Sequence, residues 1–564
     1  MATSRFEERI AVSLGQSSSA GVKFEENQAL CGAGVLFMLP ALLLQGLLKT
    51  KDVYQWSSRS YYQLESVVLT LAIMALSRIK NPEQLKQCKP GEIGRIIGLD
   101  RIPQVRCLRD KIKYLSNQKQ ASILNNRLID YWYNDRTKED AEFLYIDGHT
   151  RIYFGHQANL PTKYVSRQKL CLSATTEYWV NDAQGMPVMM VLGELTEKLQ
   201  HAIENQIIPQ LQQTCLLSSN SLPPNKPVCT FVFDREAYEP AFFNRLWENH
   251  KIAVITYRKN VKDIWLDECF ENESVQVLQH TVIMQLSETK TELGGYWFRE
   301  IRRKSQGGHQ TSIITNHPSL EISAIAGRMF SRWSQENYFK YLIQDYDFDK
   351  MISFGVESID DHKEVVNPQY RKLTHQIKKI REKTQRLEAK FYPLVEKVMD
   401  EPLDDLPIIT EKQIEQKNLI DQHKVQENEL VEQRAKLDPK IKLCQMPNDN
   451  RYNKLKTESK ILMNVIKMIC YRAETSVATW VAPFFSKAEN EKRMLVKQII
   501  ACNADVIPDY QNKTLNVTLH SLSAQRYNIA AYELTKILNE TQTIFPGTDL
   551  KMFFKISAIP VCSE

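Results

Sequence analysis

Residues 143–151 read FLYIDGHTR and residues 228–239 read VCTFVFDREAYE, and the fold turns on how these two stretches are taken. The apolar run 228–233 has no alternation, the mark of a strand covered on both faces. It ends in a carboxylate, Asp234. In the first stretch a strand delivers Asp147 near its middle, followed by a turn at Gly148. Carboxyl ends of buried strands are where α/β folds hold their ligands. A lone Asp at such a place is usually a helix cap or turn former. Two of them make the search for a third acid worthwhile.

Working outward, KLCLSATTEYWV (169–180) and PVMMVLGEL (187–195) read as strands beside the first, with Asn181-Asp182 and Gln184-Gly185 as turn material. Residues 196–215 and 238–250 have helical spacing, and IAVITYR (252–258) is a further buried strand. Strands alternating with helices imply a mixed sheet with covered faces, an α/β core. Residues 270–315 break that rhythm with antiparallel β signals and paired glycines at 294–295 and 307–308, and are expected to form a β insertion.

The third acid is Glu336, in GRMFSRWSQENYFKYL (327–342). The spacing predicts one helix anchored by Met329, Phe330, Trp333 and Phe339, with Arg332 and Lys340 one turn to either side of Glu336. Taken alone, this reads first as a solvated face with two ion pairs. Three carboxylates without Cys or His suit a hard cation, Mg²⁺ or Mn²⁺. Two such ions ~3.5–4 Å apart hold a scissile phosphate between attacking and leaving oxygens.

The ordered set YIDGHTR, VFDREAYE and RWSQENYFKYL resembles the catalytic core of DDE transposases of bacterial insertion sequences. It is most similar to the cut-and-paste branch named after insertion sequence four. The resemblance implies an RNase H-like core with Asp147, Asp234 and Glu336 as catalytic and metal-binding residues and two metal ions. It also implies duplex DNA as partner (terminal inverted repeats and target) and a homodimer on that DNA. The branch carries a Tyr-Arg-Glu-Lys signature around its Glu. Arg332 matches it, Met329 and Ile343 stand at its Tyr and Lys positions, and Lys340 is a substitute for the lysine. Arg332 and Lys340 are then expected to contact DNA phosphates. An insertion of this kind holds a flipped base in that branch, which points to Trp297 in GGYWFREIRRK (294–304), beside Arg299, Arg302 and Arg303. The alternative for Trp297 is a core aromatic of the strand. A catalytically inactive, transposase-derived DNA-binding protein is the competing functional reading.

The flanks complete a multidomain chain. Residues 1–140 are expected to be a helical domain, with 91–115 either a helix-turn-helix presenting Arg106, Arg109 and Lys113 to DNA or a bundle with a charged outer face. The core spans 141–360. Leu373, Ile377, Ile380, Thr384, Leu387 and Phe391 step by four and three, which predicts a coiled-coil hairpin over 368–440. Residues 441–564 are expected to be helical with two short strands. Glu236, Glu239, Asp182, Asp345, Asp347 and Asp349 are read as surface or capping groups, and His149 and His156 as structural.

With 564 residues, 43% hydrophobic, the chain has ample core for several domains. A formal charge of +6 permits a polyanionic partner. Eleven Cys without a CxxC pair exclude a Cys-based zinc site and a disulfide framework. The apolar run AGVLFMLPALLLQGLL (33–48) is too short for a span and reads as a buried helix. The expected setting is cytoplasmic, nucleoid-associated on DNA, with no membrane partner.

Overall fold

The largely apolar run 64–76 produces a helix that is buried almost all round. In the computed structural model, helix α1 (Leu64–Leu76) exposes none of Val67, Leu71 or Ala72. The structure describes residues 5–56, 60–134, 142–165, 168–193, 197–217, 226–278, 280–348, 355–399, 411–447, 451–485 and 489–557. For 333–336, 392–399, 411–413 and 489–490 it gives the backbone only. The chain forms two compact units, Met1–Gly155 with Thr162–Gly355 and Lys456–Glu564, and His156–Pro161 with Val356–Leu455. The architecture is multidomain α/β with mixed sheets.

In the first unit, helices α2 (Pro90–Ile96), α3 (Val105–Asn117) and α4 (Ala121–Tyr133) follow α1. Asn81 accepts from the Gln84 amide at 3.2 Å and caps the short turn that Pro82 opens. Of the run 33–48, residues 33–42 are buried, within two short helical pieces, Ala33–Met38 and Leu39–Leu44, and Leu44 is exposed. Among the described residues no helix is long and apolar enough to cross a membrane. Gly34 lies against the helix Glu489–Ala501 so closely that a Cβ would fall 1.9 Å from the Ile499 carbonyl oxygen. Phe37, Val67, Leu128, Ile469 and Val506 accordingly share one apolar cluster that joins early and late segments. The late segment carries helix Glu458–Val481 and a four-stranded sheet in the order Asn27–Leu30, Ala504–Asp509, Thr514–Leu519, Lys551–Ile556.

The larger sheet contains β1 (Phe143–Ile152), β2 (Thr162–Val165), β3 (Leu170–Asn181), β4 (Pro187–Gly193), β5 (Cys229–Phe233) and β6 (Ile252–Tyr257). It continues through β7 (Glu271–Val277), β8 (His280–Leu293), β9 (Tyr296–Lys304) and β10 (Gln310–Thr315). The central order is β4-β3-β1-β5-β6. β3 runs antiparallel to β1 and β4, whereas β5 and β6 run parallel to β1. β10 then pairs antiparallel with β6, so the insertion extends the same sheet. Gly294 and Gly295 both have positive φ, 61° and 82°, as the two-residue β8–β9 turn demands.

Helix α5 (Pro240–His250) covers one sheet face through Phe242 and Phe243. Helix α6 (Ile322–Phe330) covers the other, where Ile325 and Met329 pack with Phe143, Tyr145, Val232, Ile255, Ile301 and Ile313. The single helix expected over 327–342 is corrected here. The chain breaks at Ser331-Arg332 before helix α7 (Trp333–Tyr341) begins. Ser331 Oγ donates back to the Gly327 carbonyl at 2.7 Å, a local bond that competes with helix continuation.

In the second unit, α8 (Pro368–Met399) and α9 (Glu411–Ala435) form a two-helix hairpin. Arg381 pairs with Glu427 at 2.5 Å and Glu388 with Lys424 at 2.8 Å, which fixes the helices antiparallel. The seam buries Ile377, Thr384 and Ile420. Strand Glu364–Val366 pairs with Lys440–Lys442 at the base.

Candidate active site

Alternation along β1 turns Tyr145 to the α6 side of the sheet and Ile146 to the other, so Asp147 follows Tyr145. In the parallel ladder Tyr145 pairs with Val232 and Ile146 with Phe233. The next residue on each chain is an Asp. Register therefore sets Asp147 and Asp234 each one residue past the last paired rung of two adjacent strands, and such strands lie about 4.8 Å apart. Asp234 also caps the short turn Arg235–Ala237, its Oδ1 accepting from the Arg235 amide at 2.7 Å. Asp147 Oδ1 accepts from the Gly148 amide at 2.9 Å.

The break after α6 delivers Arg332 to this edge. Its Nη1 donates to Asp147 Oδ2 at 3.3 Å, and both side chains are mostly buried. Tyr145 anchors the same helix by donating its hydroxyl to the Arg328 carbonyl at 3.0 Å. Tyr257, at the end of β6, feels the same charges. Burial pushes its hydroxyl up, Arg332 pulls it down and Asp234 pushes it up again.

Glu336 lies on α7, and its side chain is outside the described residues. The helix itself is seated by Tyr338 and Phe339 on Trp179, with ring centroids 5.8 and 6.4 Å away. Trp179 is the cross-strand partner of Asp147. Lys340 is exposed on the same helix. Among the described residues no group of three or more His, Cys, Asp or Glu side chains is gathered closely enough to hold a metal ion. His149 is buried between Phe339 and Phe348, as a structural histidine is.

Glu236 is exposed, as its reading as a surface group has it, and it also lies near Asp147 and Asp234. Its Oε2 stands 3.2 Å from where a Cβ on Gly148 would be, so the absent side chain at 148 makes its room. Although the residue is exposed, partial desolvation raises its carboxyl above the usual range, and the negative charge of Asp147 adds to that. The signal in the sequence was a second acid two residues beyond a strand-end Asp. Asp182 is the capping group it was read as, though not at the surface. It is fully buried, bonded by the Tyr133 hydroxyl at 2.7 Å and facing Arg472 at 3.9 Å, and it caps its turn through the Gln184 and Met186 amides. Asp347 is buried too, and Asp345 pairs with Lys497 at 2.7 Å. Asp349 lies outside the described residues.

The other expected contacts are not gathered at this edge. Trp297 is 68% exposed on β9, which removes the core reading for it. Of its neighbours, Arg302 is fully buried with Glu300 at 2.8 Å and Asp263 at 2.5 Å, and stacks on Trp265. Arg299 is held by Glu288 and by the His317 and Leu320 carbonyls. Those two arginines build the insertion. On α3, Leu108, Ile112 and Leu115 face inward, and Arg106, Arg109 and Lys113 are exposed, with Arg109 paired to Glu83.

Residues 1–558 match the family described as "Transposase protein", and the chain belongs to that family. No curated protein matches it. Among solved structures it is similar to the cryo-EM structure of a piggyBac transposase synaptic complex with hairpin DNA, at 10% identity and a TM-score of 0.30. That likeness covers 54% of this chain and 65% of the other, so the match spans less than two thirds of that relative.

Proposed function

We propose that the chain is a DDE transposase of the cut-and-paste branch, cleaving the inverted-repeat ends of its own insertion sequence and joining them to target DNA as a homodimer. The observation that carries this is the β1–β5 register, which sets Asp147 beside Asp234 at the edge that Arg332 reaches. The order β4-β3-β1-β5-β6, an antiparallel trio continued by two parallel strands, supports an RNase H-like core. Asp147, Asp234 and Glu336 would hold Mg²⁺ or Mn²⁺, two ions. The donors fit: they offer hard carboxylate oxygens, and a guanidinium already sits where Asp147 Oδ2 draws positive charge. Bound metal supplies charge neutralisation at the phosphate and a more acidic attacking hydroxyl.

The chain's own contribution is positioning, the main demand of phosphoryl transfer. β1 and β5 fix two carboxylates on a rigid sheet, and Tyr338 and Phe339 hold α7 against it. Arg332 orients Asp147 and offers a cation to a neighbouring phosphate, with Lys340 as a second.

The test is nicking of a supercoiled plasmid carrying the element's ends by the purified protein in Mg²⁺. Asp147→Asn, Asp234→Asn and Glu336→Gln should each abolish nicking and leave binding to the ends nearly unchanged. Nicking that persists in two of the three would overturn the assignment. Absence of nicking in the unaltered protein, with end binding intact, would favour the inactive descendant.

A further inference from the structure

We infer that the α8–α9 hairpin is a DNA-binding arm that grips the phosphate backbone of duplex DNA through one face of α8, a role that rests on the transposase reading above. Between Pro368 and Phe391 eight Lys or Arg stand against two Glu, whereas on α9 residues 414–435 carry three against five acids. A stabilising hairpin needs opposite charges across its seam, and two pairs supply that. That leaves further Lys and Arg along α8.

They are also ordered. Lys372, Lys379, Lys383, Arg386 and Lys390 follow steps of seven, four, three and four, which puts them on one stripe of the helix. All five are exposed, and among the described residues none forms an ion pair, whereas Arg381 and Lys378, off the stripe, do. The seam residues Ile377 and Thr384 are buried elsewhere on the helix. From Lys372 to Lys390 the stripe runs roughly 27 Å at the usual helical rise. That is about eight phosphates along one DNA strand.

The same face bears no large apolar side chain, as an interfacial membrane helix would require. It has no aromatic platform for unpaired bases, and Gln376, between Lys372 and Lys379, is the one amide along it. A bare cationic stripe fits backbone contact without sequence preference.

The experiment uses the full chain and a short duplex of arbitrary sequence, with affinity followed across a KCl series. Replacing Lys379→Gln, Lys383→Gln and Arg386→Gln together should lower the slope of log K against log salt by about two to three units. The charge-preserving set Lys379→Arg, Lys383→Arg and Arg386→Lys should restore it. An unchanged slope in the neutral set overturns the inference. So does an equal loss in both sets, which marks a structural effect. Affinity lost for phosphatidylserine vesicles or an RNA duplex but not for DNA overturns it as well. Plasmid nicking at low salt separates the two proposals. The neutral set should still nick, and Asp234→Asn should keep the full salt slope while losing nicking.

Discussion

Arg332 and Asp147 are 185 residues apart in sequence and 3.3 Å apart in space, the guanidinium at a helix break and the carboxylate at mid-strand. The bond joins the end of α6 to the centre of the sheet. An ion pair with some solvent access contributes on the order of 1 kcal/mol or less, so its value lies in aim. Arg332→Ala should change Tm little, reduce nicking strongly and lower the DNA salt slope by about one unit. Arg332→Lys should recover the slope without the full rate, because a point charge replaces a planar fork. A slope and rate both unchanged in the alanine variant would leave a plain surface ion pair.

Gly148 and Glu236 make a second checkable contact. A Cβ at 148 would stand 3.2 Å from Glu236 Oε2 and 3.1 Å from the Tyr178 ring, tighter than ordinary contact. Gly148→Ala should destabilise by about 1–3 kcal/mol, as overpacking does. Truncating the far side, Glu236→Ala, should relieve part of that. A double-mutant cycle by denaturant midpoint should return a favourable coupling above about 0.5 kcal/mol. Simple additivity would mean that the Glu236 carboxylate does not occupy the space over Gly148.

The parts legible in the sequence were those set by burial on two faces or by a strict period. β5 and β6 announce themselves as unbroken apolar runs, and the α8 seam is a four-three repeat with Ile377 and Thr384 inside. The break at Ser331-Arg332 was hidden, because apolar spacing runs through it while a side-chain hydroxyl and a distant carboxylate decide the path. The buried Asp182 was hidden because its partners, Tyr133 and Arg472, come from elsewhere in the chain. Strand Ala504–Asp509 was masked by Pro508. That proline lies beyond the segment paired with Asn27–Leu30, so its missing amide costs no bond there.

His317 makes stability depend on acid. Its Nδ1 accepts from the Leu320 amide at 3.0 Å and the Ser319 amide at 3.3 Å, which requires a neutral ring nitrogen. Burial, then Arg299 and Lys226, lower its pKa from 6.5 to about 4. The unfolded chain therefore binds this proton first. The contribution is fully present above pH 6.5 and is lost as pH falls toward 4. At a pH one unit above the folded value the loss is about 2 kcal/mol. His317→Gln should show a shallower fall of the denaturant midpoint between neutral and acid pH than the unaltered protein. Parallel curves would place the acid sensitivity in other groups.

Trp297 supplies the last prediction. It stands 68% exposed on β9 next to the Gly294-Gly295 turn, opposite Glu292 on β8, while Phe298 beside it is buried. A large indole left in water at a hairpin end contributes little to the core, so Trp297→Ala should leave Tm within about a degree or two. Its open face is free to stack an unpaired base, an interaction worth about 1–3 kcal/mol. Arg299 and Arg302 are occupied within the insertion and do not back it, so the effect should rest on stacking alone. The variant should then bind a duplex with one extruded base about tenfold more weakly and a fully paired duplex as before. If cleavage passes through a hairpin, first-strand nicking should proceed and the second-strand step should stall. Substitution by Phe should restore most of both. Equal affinity of variant and parent for the two duplexes would sink the stacking role and leave Trp297 as an exposed side chain without one.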